Sequence, residues 1–425
     1  MQSQQSPHIP FLEQVARHYL DEGLLEERVF IFPSKRAQKF FLHYLEQIAL
    51  ERGLTIFAPE TTTVNDFILA QKPQLQLLDK TELLFRLYDC RVASQAYQGE
   101  EPERDIEDFL FWGNIILSDF DLIDRNLVDA YQLYRNIAGL KELDDIHLDF
   151  LDDDTKAYLA RYFRGFVDNS QMSEEERESY RARFLAFWES LYDLYLDFRA
   201  SLESSGAPCF TYEGYIYRAV AEDAEVVEHL RTRYHRAIEE LGINPLVFVG
   251  LFDLSESERL FYKRLTQSRL AEFFWDDEVH VVSEEPLVGQ DKALTYDPRL
   301  AHNAARIMRS NKKLLGGVQS SYHNNAEARR RGYLPKCVEV YKAASTVTQV
   351  KALSQIITSE NLPKDITSAV VLPDEQLLIP VVSSIPDEYE SLNITLGYPL
   401  NRTSVSTLIN RWLRLLPTSY KGYYS

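Results

Sequence analysis

The chain has 425 residues, 45% apolar and 12% aromatic, enough to bury two or three cores of ordinary size. No apolar run approaches the roughly 20 residues of a spanning helix, and residues 1–10 lack a basic stretch followed by an apolar core. Cys90, Cys209 and Cys337 lie far apart without a CxxC pair, which argues against a zinc site, an iron–sulfur cluster or a disulfide framework. A membrane protein and a secreted protein are thereby disfavoured, and a cytoplasmic location with no membrane partner is expected.

The formal charge of −19 opposes a polyanion over most of the surface. Any nucleic-acid contact therefore falls to local basic clusters or to a partner that supplies positive field. The clusters are Lys35 and Arg36 with Lys39, residues 231–236 (RTRYHR), Arg309 with Lys312 and Lys313, and Arg329 to Arg331. A solvated face or loop is the ordinary role for each.

Taken in chain order, residues 28–33 (RVFIFP) are a short apolar run ended by proline, which suits a buried parallel strand. Ser34 is a fit N-cap for the helical pattern that follows it. A second strand is expected at residues 54–58, followed by turn chemistry from Pro59 to Asn65 that leads into another helix. From about residue 79 to 240 the periodicity becomes helical and strand signal almost vanishes; the apolar stripe of residues 175–188 is one example. Residues 206–208 (GAP) break this block, with a helix expected from about Tyr212. Strand character returns at 246–252 (LVFVGLF), followed by a helix opening at 253–259, and again at 271–275, 338–341 and 368–372. Strand, turn and helix in close order imply a parallel α/β layer with a helical insertion. The polar, turn-rich stretch 314–333 is the best linker candidate.

No GxxxxGK(S/T) phosphate loop, HExxH or GxSxG occurs. Asp154, Thr155 and Lys156 match half of a nuclease motif but sit in a helical acidic block, and the Pro-Asp-Glu triplets at 373–375 and 386–388 have no acid-x-lysine partner; they read as turns or helix starts. The acidic runs Asp119, Asp121, Asp124 and Asp152 to Asp154 lack the glycine and final glutamate of a calcium loop, and read as helix ends or ion pairs.

In their order along the chain, FLEQVARHYL (11–20), VFIFPSKRAQ (29–38), TTTVNDF (61–67), VFVGLFDLSESE (247–258), FWDD (274–277), AVVLPDEQLL (369–378) and NITLGYPL (393–400) resemble the AddB/RexB family of helicase/nuclease subunits. The order of the segments, rather than any one, carries the resemblance, which runs from about residue 11 to about residue 412. It implies an α/β fold of the P-loop NTPase (RecA)-like helicase type. Residues 1–78 and 241–315 would form an inactivated first RecA-like domain, 79–240 a helical insertion, 316–334 a linker, and 335–425 the start of a second RecA-like domain.

The resemblance further implies that Ser34, Lys35, Arg36 and Lys39 at one strand-to-helix turn, and Thr62 and Asn65 at the next, contact a DNA backbone. Hydroxyls and cations at helix N-termini are what phosphate recognition requires. Gly250 and Leu251 stand where an active helicase carries an acidic pair for magnesium and water, so the ATPase site would be degenerate. The implied partners are DNA and an AddA-like motor subunit. The implied role is a non-catalytic DNA-guiding scaffold in an AddAB-type helicase-nuclease of double-strand-break repair and recombination. No cofactor is expected in this chain; magnesium and an iron–sulfur cluster would belong to a PD-(D/E)xK exonuclease half beyond residue 425. Two rival readings are a fragment whose activity lies wholly in that nuclease half, and a protein-interaction scaffold without DNA contact.

Overall fold

A computed structural model describes residues 9–98, 106–139, 190–203, 209–276, 307, 310–318, 340–359, 363, 368–389 and 392–415. Asp152 to Lys156, the 175–188 stripe, residues 206–208, Arg309, 319–339 with Arg329 to Arg331, and Cys337 lie outside the described residues. The chain divides into two compact units, Met1–Leu334 and Pro335–Ser425.

The first unit is α/β, built on a four-stranded parallel sheet in the order β2-β1-β5-β6. Its strands are β1 (Val29–Phe32), β2 (Glu60–Thr63), β5 (Leu246–Val249) and β6 (Ala271–Phe274). Both β1 and β5 are buried along their whole length, as expected of parallel strands covered on both faces. Their side chains alternate: Val29, Ile31, Leu246 and Phe248 enter one core, while Phe30, Phe32, Val247 and Val249 enter the other.

Helices α1 (Phe11–Glu22) and α2 (Lys35–Glu51) cover the second of these faces. Phe41, Leu45, Ile48 and Ala49 repeat at helical spacing, and the first three pack with Val15, Ala16 and Tyr19 of α1 over Phe30 and Phe32. The opposite face is covered by α3 (Val64–Leu69) and, later in the chain, by α7 (Glu213–Glu222), α8 (Ala224–Arg233) and α9 (Glu256–Gln267).

The second strand differs from expectation. Residues 54–58 are irregular, with Phe57 74% exposed, and the strand is Glu60–Thr63, paired residue for residue with Val29–Phe32. Three consecutive β-branched threonines suit a pleated edge strand; the apolar run before them enters no ladder among the described residues, and only Ile56 packs on the core. Two further strands, β3 (Leu75–Leu77) and β4 (Cys209–Thr211), form a separate parallel pair that hydropathy did not signal.

The helical block contains α4 (Lys80–Gln98), α5 (Ile106–Arg125), α6 (Ala130–Gly139) and a helical stretch over residues 190–203. They share a core that includes Leu87, Phe109, Phe120, Tyr195 and Phe198. Helices α7 and α8, placed with this block by the sequence, also pack on the sheet through Ile216, Tyr217, Val220, Val227 and Leu230.

Block and sheet are joined at Asp124, which is fully buried on α5. Its Oδ1 accepts from Tyr195 Oη (2.6 Å) and Arg199 Nη1 (3.1 Å), and Arg218 of α7 lies 2.9 Å away. The Tyr212 hydroxyl donates to Oδ2. Arg218 also donates to the carbonyls of Ile123 and Val128. Burial, followed by the Asp124 carboxylate, pushes the Tyr195 phenol up to about 12 and Tyr212 further above its usual range. One turn earlier, Asp121 Oδ1 accepts from Gly214 N (2.6 Å), and a Cβ at Gly214 would lie 2.3 Å from the Asp121 carbonyl oxygen, so only glycine permits this approach of α5 and α7.

In the second unit the described elements are α10 (Thr346–Ser359), α11 (Leu378–Val382) and α12 (Ser404–Leu415), with short 3-10 turns at Glu375–Leu377 and Leu400–Arg402. Val340, Tyr341 and residues 368–372, read as strands, are irregular here, because an isolated apolar run without a ladder partner gains nothing by extending. Asp374 caps its 3-10 turn by accepting from Gln376 N.

Replacing Asp124 with Ala should lower the unfolding free energy by about 3 kcal/mol, because Tyr195, Tyr212 and Arg199 lose their shared acceptor and Arg218 loses its ion-pair partner. Urea denaturation measures this, and a change below about 0.5 kcal/mol would mean that the cluster is not what joins the block to the sheet.

Candidate nucleic-acid interface

The strand order contains a reversal. The chain leaves β1 through α2 and returns at β2 on one side; it leaves β5 through α9 and returns at β6 on the other. In parallel sheets such a switch opens a crevice at the carboxyl ends of the two diverging strands, where ligands bind. Here the crevice lies between β1 and β5, which pair through Val29 with Leu246 and Ile31 with Phe248. Continued by two residues, that register sets Pro33 beside Gly250, so the turn carrying Ser34, Lys35 and Arg36 faces the turn carrying Gly250 and Leu251.

On the β1 side, Ser34 caps α2 in extended conformation, its Oγ accepting from Ala37 N at 3.3 Å. Lys35, Arg36 and Lys39 are exposed, and none forms an ion pair among the described residues. The first turn of α2 holds no carboxylate. Lys35 and Lys39 are four residues apart, a spacing at which like charges repel unless an anion is present. Their cations add to the positive end of the helix dipole. By contrast, Arg231 and Arg236 of another basic cluster face Glu239 and Glu27.

The next turn is more self-contained. Thr63 caps α3 and exchanges hydrogen bonds with Asp66, accepting from its amide and donating to its carboxylate at 2.8 Å. Asn65 is half-buried and accepts from the Tyr217 hydroxyl at 3.1 Å. Thr62, on edge strand β2, is half-buried, and Gln38 of α2 donates to its neighbour Thr61 at 3.1 Å. The structure thus places Ser34, Lys35 and Arg36 just past the carboxyl end of β1, Lys39 one turn along α2, Thr62 within β2 opposite Ile31 and Asn65 at the start of α3, with the α2 group open and the Thr62 and Asn65 group partly engaged by the fold.

On the β5 side, Gly250 has φ +68°, donates to the Phe274 carbonyl, and would bring a Cβ within 3.1 Å of Phe11. Leu251 is buried in the core. Ser255 and Glu258 form a reciprocal capping box at the start of α9. Of residues 250–254 only Asp253 carries a carboxylate. Among the described residues no group of three or more His, Cys, Asp or Glu is arranged to hold a metal ion, and no helix is long and apolar enough to cross a membrane.

Sequence reasoning found the turns through Ser34 and the Ser-Glu box, but missed Thr63 and Tyr217, which fix the second turn. The capping signature Thr63-x-x-Asp66 was there to be read.

No protein-family model matches the chain, and no curated protein matches it.

Ser34→Ala should cost about 1 kcal/mol of stability through loss of the cap, whereas Ser34→Asp should restore it, since aspartate caps equally well. Thermal unfolding distinguishes them; equal destabilisation by both would remove Ser34 from the capping role.

Proposed function

We propose that this chain is a helicase-like scaffold, without an ATP-hydrolysing site of its own, that holds the backbone of a DNA strand at the carboxyl edge of its parallel sheet. The observation that carries the reading is the exposed cationic turn Lys35, Arg36 and Lys39, without an ion pair among the described residues, at the switch point of the sheet. Ser34 contributes the capped helix start whose free amides donate to a phosphate oxygen, with Thr62 and Asn65 as secondary contacts. The RecA-like identity of the two units, the AddAB-type assembly, the AddA-like motor partner and a cytoplasmic role in double-strand-break repair follow from the resemblance in segment order. The charge of −19 fits such a subunit better than a free-standing DNA binder, since a partner can supply the missing positive field.

A second reading, a protein-interaction scaffold, is favoured by α12. Val405, Leu408, Trp412 and Leu413 are exposed along it, with Arg402, Arg411 and Arg414 alongside and no carboxylate in the helix.

Replacing Lys35, Arg36 and Lys39 together with Ala should weaken single-stranded DNA binding and reduce the slope of log affinity against log salt by about 2, three phosphate contacts at about 0.7 each. Fluorescence anisotropy across a salt series measures it. An unchanged slope in the variant would displace the site, and absence of DNA binding by the parent chain at low salt would favour the scaffold reading.

A further inference from the structure

Phe252 stands apart from its neighbours in the β5–α9 turn. Leu251 and Leu254 on either side are buried, whereas Phe252 is 47% exposed. An exposed aromatic on a mobile loop would mean little, but this turn is held at several points. Gly250 N is bonded to Phe274 O at 2.9 Å. The capping box of Ser255 and Glu258 fixes its far end. Asn311, itself fully buried, donates from Nδ2 to the Phe252 carbonyl at 2.7 Å. The backbone that presents the ring is therefore preorganised.

Charge divides the crevice into two sides. The α2 side carries Lys35, Arg36 and Lys39 with no carboxylate in the first turn. The Phe252 side carries exposed Asp253, and Glu256 paired with Arg259 at 3.7 Å, so it lacks the cationic excess of the α2 side. A nucleic-acid strand lying across the edge is thus oriented, backbone toward α2 and bases toward Phe252. Every base offers a π-face, so one presented aromatic accepts any of them.

We infer that Phe252 is a base-stacking residue of the DNA strand held at this edge. The inference rests on the functional reading above and adds the contact that distinguishes an unstacked single strand from a duplex. In a duplex the base faces are occupied by their neighbours, and only the backbone cations remain to bind.

The test uses the full chain, a fluorescent oligothymidylate, and the same strand carrying a run of abasic sites. Phe252→Ala should weaken binding of the oligothymidylate by about 5- to 150-fold while leaving the salt slope unchanged. Phe252→Trp should retain binding, and duplex affinity should be the same in all three proteins. On the abasic strand the parent chain should lose what Phe252→Ala loses, and the variant should lose nothing more, so that the ligand-side change checks the result independently of folding. Oligothymidylate binding by Phe252→Ala equal to that of the parent, with a normal salt slope, would overturn the stacking assignment while the backbone site stands. Absence of binding to any strand by the parent chain at low salt would overturn the functional reading itself, and with it this inference.

Discussion

The handedness of strand–helix–strand connections is the constraint on which the rest of the first unit depends. Parallel crossovers are right-handed almost without exception. Two crossovers of one hand that leave adjacent strands in opposite directions must run over opposite faces of the sheet. The cores follow this rule: Phe41 and Leu45 of α2 pack over Phe30, Phe32 and Val249, and Phe261, Tyr262 and Leu265 of α9 pack with Ile31, Phe248 and Phe273. The two helices are thereby drawn to opposite faces at the edge between β1 and β5. The crevice is a consequence of connectivity, and its chemistry is set by the few residues at the two turns.

The same connectivity creates a difficulty, because the chain between β2 and β5 runs from residue 64 to 245 before rejoining the sheet on the other side of β1. Loop closure over such a length is entropically costly unless the intervening chain has its own core and a fixed exit. The aromatic core around Phe109, Phe120 and Phe198 supplies the first. Asp124 supplies the second, by gathering Tyr195 and Arg199 from the block with Tyr212 and Arg218 from the returning segment. A buried carboxylate that accepts from three donors and pairs with a fourth group, Arg218, fixes one arrangement of α5 against α7, where apolar packing alone would tolerate several. Its placement also anchors Tyr217, on the same helix as Arg218, which reaches Asn65 at the sheet edge.

Much of this was legible locally. Buried strands of one apolar run, such as residues 29–32 and 246–249, and caps such as Ser34 and Ser255 follow from pattern and side-chain chemistry within a few residues, and the structure has them where the pattern puts them. What failed depended on distant partners. Residues 54–58 are more apolar than 60–63, yet the threonines form β2 because only they come into register with β1. The strand at Cys209–Thr211 exists because Leu75–Leu77 lies beside it. Asp124 in an acidic run looks like a solvated helix end until the arginines 75 and 94 residues later are brought to it. The candidate site divides the same way: its cations could be named from sequence, but their lack of a carboxylate partner among the described residues, and the engagement of Asn65 by Tyr217, come from the fold.

The claim that the switch-point edge holds a DNA backbone is tested most directly by hydrogen exchange of the full chain with and without a single strand. The first amides of α2 have no acceptor within their helix, so those of Lys35 and Arg36 should exchange rapidly in the free protein. The account predicts that DNA slows exchange at residues 34–38 and at 250–254 together, leaving the core of the helical block unchanged. Protection confined to the helical block or to the second unit, with both turns exchanging as in the free chain, would contradict it.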